Sequence, residues 1–372
     1  MYLVERLIGV FTFVLIMFLM CFWIYKSDKS KIKKILKIYW IILALLAFLY
    51  IPAKSADLSR YIYSAHLYSS YSFNELIELL SQAKVPGQIL YFYLLGLTKI
   101  DGLIPAVSCM IFYGFAFSML NDAVNRFDLK PKSIALSLLF FMEMGGFLSV
   151  ISVIRCFIAF AAIAYCCYFE LIANKSFIKH IPLYLFASSM HPAAMALTFF
   201  RIVTILLKKE KVLIKRFINA FLVGIMVLII IKFGNQYISL ILDKTDTYVN
   251  GHVYSYVWEY IISWLYMIFS TFFLLKIKID DVENKMFILN YKNFILLINL
   301  VILLFNFEYS IFTRFQLFSS ILFLPYFALG VDYCKKTSKL LSILFIFISL
   351  TIFIVACTRG NLCGYKFLLF DF

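Results

Sequence analysis

Charge is what this sequence has little of. Only 15% of its 372 residues are Asp, Glu, Lys or Arg, and 64% are hydrophobic, whereas soluble domains average roughly 25% charged and 45–50% apolar. Too few polar groups exist to cover a core of this size, which argues against a soluble globular domain. Histidine is scarcer still, at 4 residues, and neither HxxxH nor CxxC occurs, so no metal motif is present. The 13 glycines build no Gly-rich phosphate loop and no Walker sequence. That absence argues against nucleotide-driven transport and against nucleotide-sugar chemistry on an inner face, and no cofactor is expected. The 8 cysteines lack paired-ligand spacing. Cys21, Cys109, Cys156, Cys166 and Cys167 lie within apolar runs, where cysteine serves as a small hydrophobe, while Cys357 and Cys363 fall where they could face outward and oxidise.

What the chain has in abundance is long apolar runs, each near the roughly 20 residues an α-helix needs to cross a bilayer, inside which backbone groups must be paired within the segment. The fold class is an all-α polytopic membrane protein. Barrel strands would alternate apolar and polar residues, and these runs are continuous. The first run, Leu7 to Tyr25, is too long for a cleaved signal and has no small-residue cleavage site after it. The net charge of +15 has a topological explanation. Lysines cluster in short loops at Lys26 to Lys37, Lys130 and Lys132, Lys175 and Lys179, Lys208 to Lys215, Lys276 to Lys292, and Lys335 to Lys339, and the alternate loops are lysine-poor, as the positive-inside rule requires. No nucleic-acid partner is needed.

Placing every lysine-rich loop on one side predicts about 12 transmembrane helices. They fall near Leu7 to Tyr25, Ile38 to Ile51, Leu103 to Leu120, Ile134 to Val150, Val153 to Leu171, a pair within Phe177 to Leu207, and then Arg216 to Phe233, Val257 to Leu275, Phe294 to Phe307, Phe315 to Gly330 and Leu340 to Cys357. The pair is read as a hairpin breaking at His191-Pro192, because proline disfavours helix at the residue before it; His191 is then outside. One integral membrane domain covers residues 1–372. An outer loop, 53–102, holds a polar, tyrosine-rich stretch. Within it Ser72 and Glu75 have capping-box spacing ahead of an amphipathic run, Phe73, Leu76, Ile77 and Leu80, which predicts a short interfacial helix. Segment 85–99 is apolar but too short to cross without inverting every later loop, so it is expected to re-enter or lie in the interface. A second outer loop, 234–256, carries Asp243, Asp246, His252 and tyrosines that suit an aromatic belt.

Arginine departs from the lysine pattern. Arg60, Arg155, Arg314 and Arg359 fall at or near outer helix ends, against the positive-inside bias, and a cation at helix centre costs about 2.5–3.5 kcal/mol on insertion scales. One reading is interfacial anchoring by snorkelling. The other is a ring of Arg60, Arg155, Arg314 and His191 around an outer vestibule for an anionic ligand, because guanidinium forks bind phosphate or carboxylate bidentately. Asp57 adds a carboxylate that could deprotonate a hydroxyl, or could tie down the loop by pairing with Arg60. Glu143 and Arg201 also lie within apolar runs, where they can pair with each other or with backbone, and Glu308 sits beside the same vestibule.

The order of motifs is informative. Asp57-Leu-Ser-Arg-Tyr61 is followed by Val85-Pro-Gly-Gln-Ile-Leu-Tyr91, Ile154-Arg155, a Ser-Met-His-Pro turn at Ser189 to Pro192, Thr313-Arg314-Phe315 and Leu324-Pro325. This order resembles the EpsG and Wzy-like polysaccharide polymerases of bacterial exopolysaccharide, capsule and O-antigen systems, and the similarity runs through most of the chain. Cys156 stands where relatives often have Gln, and Val-Pro-Gly where many have Glu-Pro. The resemblance implies a fold similar to C-type glycosyltransferases and a location in the bacterial plasma membrane. It implies polymerisation of undecaprenyl-diphosphate-linked repeat units on the outer face, with membrane lipid, a flippase and a chain-length regulator as partners. On that reading Arg155 and Arg314 hold the diphosphate, and His191 serves the same group or proton transfer. Asp57 is the candidate base, and Arg60 and Tyr61 hold sugar. A membrane O-acyltransferase and a lipid-linked oligosaccharide flippase are the alternatives; a flippase should show two related halves, and no internal repeat is evident.

Overall fold

The computed structural model describes residues 2–52, 56–206, 257–277, 285–304, 306 and 309–333, together with positions 343, 346–348, 350 and 351. Its regular segments are helices: α1 (Tyr2–Lys26), α2 (Lys29–Phe48), α3 (Asp57–Ser69), α4 (Phe73–Gln82), α5 (Pro86–Gly96), α6 (Leu103–Arg126), α7 (Pro131–Gly145), α8 (Phe147–Ser152), α9 (Ile154–Leu171), α10 (Ile181–Met190), α11 (Pro192–Leu206), α12 (Val257–Lys276), α13 (Lys285–Leu304) and α14 (Tyr309–Tyr333). Among the described residues, five helical stretches are long and apolar enough to cross a membrane: Ile8–Lys26, Leu103–Arg126, Ile154–Leu171, Lys285–Leu304 and Phe312–Tyr333. The expected segments Arg216 to Phe233 and 234–256, the lysine loops at 208–215 and 335–339, Glu308, Arg359, Cys357 and Cys363 lie outside the described residues, as does most of Leu340 to Cys357.

The bundle has two chemically different ends. At one, Lys29 pairs with Asp128 across the α1–α2 and α6–α7 turns, the Lys132 ammonium lies 5.3 Å from the Tyr25 ring centroid, and Asp332 accepts hydrogen bonds from the Lys130 N–H and the Ser133 hydroxyl. Two lysine-rich turns that are separate in sequence, Lys26 to Lys37 and Lys130 with Lys132, therefore share one end, as the charge pattern predicts for them. α2 begins nine positions before the expected Ile38, within the lysine run. Ile32, Ile35, Leu36, Tyr39 and Leu43 repeat with helical period and are buried, which carries the helix through the lysines on its other face.

Two helices form the centre. α9 buries nearly every side chain, from Ile154 and Cys156 through Glu170, against α6, α10, α11, α13 and α14. α14 is enclosed by α7, α9, α12, α13 and α6, with Phe318, Ile321, Leu322 and Phe327 buried. A helix apolar on all sides belongs in such a position. The five cysteines Cys21, Cys109, Cys156, Cys166 and Cys167 are buried free thiols.

Two expectations change in outline. The single helix expected over Ile134 to Val150 is broken into α7 and α8 by Gly146, whose φ of +48° lies in the left-handed region that glycine enters without cost. The stretch read as a polar loop start is the helix α3, which buries Leu58 and Ala65 and packs Tyr61, Ile62 and Tyr68 against the core. α4 has the expected capping box, and its Phe73 and Ile77 are exposed, as suits an apolar face turned toward lipid. α5 has 11 residues, a rise of about 16 Å, roughly half the hydrocarbon thickness.

Helices α10 and α11 form the hairpin expected at His191-Pro192, and its base is bolted by a buried polar hub. Glu170 of α9 accepts from His180 Nδ1 at 3.0 Å, Tyr184 OH at 3.1 Å and Arg201 Nε at 2.8 Å. Arg201 thus pairs with Glu170, not with Glu143. α10 has 10 residues and rises about 15 Å, and its tip packs against Gly87 of α5. At that tip the His191 ring lies 6.5 Å from that of Phe160, which is five residues beyond Arg155 and thus roughly 8 Å along α9 from it.

Candidate functional site

The end of the bundle opposite the lysines gathers residues from four separated segments around Arg155. The first is α3, which runs parallel to α5 and packs along it. On α3, Asp57 and Tyr61 are one turn apart and share a face. The Tyr61 ring stacks on Phe92 of α5 at 5.1 Å, 19° from parallel. That stack presents the other face of Tyr61 to Arg155, whose guanidinium carbon lies 5.3 Å from the ring centroid while its Nε donates to the Tyr61 hydroxyl at 3.2 Å.

α5 supplies the second contact. Pro86 opens the helix, where its missing N–H costs nothing, and places Gln88 in the first turn. Arg155 Nη1 donates to Gln88 Oε1 at 2.6 Å. Both of these partners, the ones the guanidinium has among the described residues, are neutral. Burial pushes the Tyr61 phenol above its ordinary range; the positive charges of Arg155 and Arg314 oppose that shift and the negative charge of Asp57 reinforces it. Tyr61 therefore keeps its proton, and its hydroxyl can donate to a ligand while accepting from Arg155.

The third and fourth segments arrive through Phe160 of α9. Its ring lies 6.5 Å from His191 and 5.5 Å from Phe315, the residue after Arg314. Arg314 is half-buried and close enough to act electrostatically on both the Tyr61 hydroxyl and Cys156, as Arg155 also does. Both arginines sit near the N-terminal ends of the two central helices, where the helix macrodipole adds positive potential. His191 is extended, with φ −154° and ψ 136°. Its Nδ1 accepts from the Ala193 N–H at 3.2 Å and so caps α11. An accepting Nδ1 carries no proton, so in the neutral ring the proton resides on Nε2, which is a donor.

Arg60 does not join this cluster. It lies on the exposed face of α3 and pairs with Asp57, its side chain 69% exposed against 30% for the carboxylate. Asp57 thus has Arg60 as its ion-pair partner, and its link to Arg155 runs through Tyr61. Gln88 lies inside the Val85 to Tyr91 motif, but a lone glutamine in an apolar segment names no role of its own; its meaning comes from the arginine it meets. A separate cavity of about 330 Å³ lies at the lysine-rich end, lined by Lys29, Ser30, Lys33, Asn121 and Asn125 among others. It shares no residue with the arginine cluster.

The arrangement can hold an anion. Two guanidinium groups, a protonated phenol, an amide and an imidazole come to one end of the helices, with a carboxylate at the rim. The sequence profile of the EpsG family matches residues 54–370, a span that includes every residue of this cluster. No curated protein and no solved structure matches the chain.

Proposed function

The chain belongs to the EpsG family, a family of Wzy-like polysaccharide polymerases, and from that premise we propose that it joins undecaprenyl-diphosphate-linked oligosaccharide repeat units into surface polysaccharide, exopolysaccharide, capsule or O-antigen. The reaction takes place on the outer face of a bacterial plasma membrane, in a bundle of about 12 spans with a C-type glycosyltransferase-like arrangement. The observation that carries this reading is the Arg155 guanidinium, held among the described residues by Tyr61 and Gln88, with Arg314 close enough to act on the same Tyr61 hydroxyl.

Glycosyl transfer from a lipid diphosphate forms a bond between an acceptor hydroxyl oxygen and the anomeric carbon as the bond from that carbon to the diphosphate oxygen breaks. The electron pair leaves on undecaprenyl diphosphate, and the hydroxyl proton passes to a base. Fixed cations at the departing oxygen are the largest help a protein can give such a step. Arg155 and Arg314 supply them, with His191 Nε2–H as a further donor. Asp57 is the carboxylate placed to take the proton, held by Arg60, and Tyr61 offers its hydroxyl to sugar or phosphate. A flippase and a chain-length regulator are the partners this role calls for.

Lipid-linked glycans in a deletion strain test the class of function. A missing polymerase leaves single repeat units on the outer leaflet. Units confined to the inner leaflet would indicate a flippase, and full-length polymer lacking acyl groups would indicate an acyltransferase; either result overturns the proposal.

A further inference from the structure

Arg155 is oriented without being neutralised. Of the five N–H donors of a guanidinium, two are engaged, one by Tyr61 OH and one by Gln88 Oε1, which leaves three. Neither acceptor carries charge, and among the described residues Arg155 forms no ion pair; the nearby carboxylate of Asp57 is paired with Arg60. Arginine offers only donors, so Gln88 must turn its oxygen toward it, and the amide N–H groups remain on the same rim.

Residue 88 is also placed with little freedom. The proline at the start of α5 fixes the helix entry, and Gly87 presses on Ser189 of α10 so closely that a methyl group on it would lie 3.1 Å from the Ser189 carbonyl carbon and closer to its side chain. The Gln88 side chain therefore projects from a backbone wedged between α3 and α10 toward the start of α9. A carboxylate here would form a charge-assisted, bidentate pair with the same guanidinium. It would fix Arg155 at least as well, and it would cancel its charge.

We infer that Gln88 is a positioning residue: it holds the Arg155 guanidinium in place through a neutral acceptor and so keeps its positive charge uncompensated for a diphosphate group. This rests on the polymerase reading above, and it adds a residue that acts through charge it does not carry. Side-chain shape alone would make glutamate an acceptable substitute for glutamine; the inference says that it is the worst one.

The test compares Gln88→Glu, Gln88→Ala and Arg155→Ala in the full chain, expressed in a deletion strain, with surface-polymer length as one readout and the melting temperature of the purified protein as the other. Gln88→Ala loses orientation but keeps the charge and gives partial loss of long polymer. Gln88→Glu keeps the acceptor and loses long polymer by about tenfold or more, approaching Arg155→Ala, since contacts to a charged group are worth roughly 1.5–3 kcal/mol. Its melting temperature stays at or above that of the unmodified protein. A merely structural glutamine would show stability and polymer length falling together. Long polymer from Gln88→Glu, or a melting temperature that drops with polymer length, overturns the role of Gln88 while Arg155→Ala still reports on the diphosphate site. Long polymer from Arg155→Ala overturns the polymerase site and this inference with it.

Discussion

Gly87 of α5 and Ser189 of α10 touch with no room for a β-carbon between them. The Ser189 hydroxyl donates to the Phe186 carbonyl at 2.7 Å, so it is not free to swing aside. This contact joins the segment that carries Gln88 to the hairpin tip that carries His191. Gly87→Ala forces the two apart, and overpacking of this kind costs about 1–3 kcal/mol. We expect a lower melting temperature and shorter polymer; a variant with unchanged stability and length would show that the contact does not set the site.

The hub at Glu170 holds the other end of the same hairpin. Glu170→Ala leaves the buried Arg201 guanidinium without its carboxylate, a change that costs about 3–5 kcal/mol in comparable buried pairs. Replacing both partners, as in Glu170→Gln with Arg201→Met, should cost much less, because no uncompensated charge remains. Denaturation of the purified variants measures the difference.

His191 has two separable duties. His191→Asn retains a side chain able to cap α11 but has no ring N–H to offer, whereas His191→Ala loses both. The cap is worth about 1 kcal/mol. His191→Asn should melt near the unmodified protein and still make short polymer, while His191→Ala should fall in both. Full-length polymer from His191→Asn would leave His191 with the capping role alone.

The Ser72 hydroxyl and backbone N–H hold the Glu75 carboxyl below the ordinary carboxylate range. Its pKa is lower in the folded chain than in the unfolded one. The capping contribution is therefore complete above the ordinary carboxylate pKa and is lost as pH falls through the depressed one. Protection factors for the α4 amides should decline over that acidic window; Ser72→Ala, which keeps the backbone N–H, should weaken the dependence, and Glu75→Gln should abolish it.

Features set by neighbouring residues are legible in the sequence alone. The Ser72 and Glu75 spacing predicts the cap that forms, and the break at His191-Pro192 follows from proline's effect on the residue before it. The lysine clusters predict a common end, since their cost in lipid does not depend on tertiary detail. Features set by distant partners are not legible in this way. Arg201 meets Glu170 rather than Glu143 because the hairpin returns beside the foot of α9, which no local pattern specifies. The serines and tyrosines of α3 hide its helix, although Leu58, Ile62 and Ala65 do repeat with helical spacing. Arg60 and Tyr61 are adjacent in sequence, yet the 100° step between helix positions puts one on the exposed face and the other under Arg155.

The most direct test of the central claim is the polymer-length profile of strains carrying Arg155→Ala or Arg314→Ala as the sole copy, at matched protein levels in the membrane. The account predicts that each variant loses long polymer and accumulates single lipid-linked repeat units. Long polymer retained in both strains would contradict it.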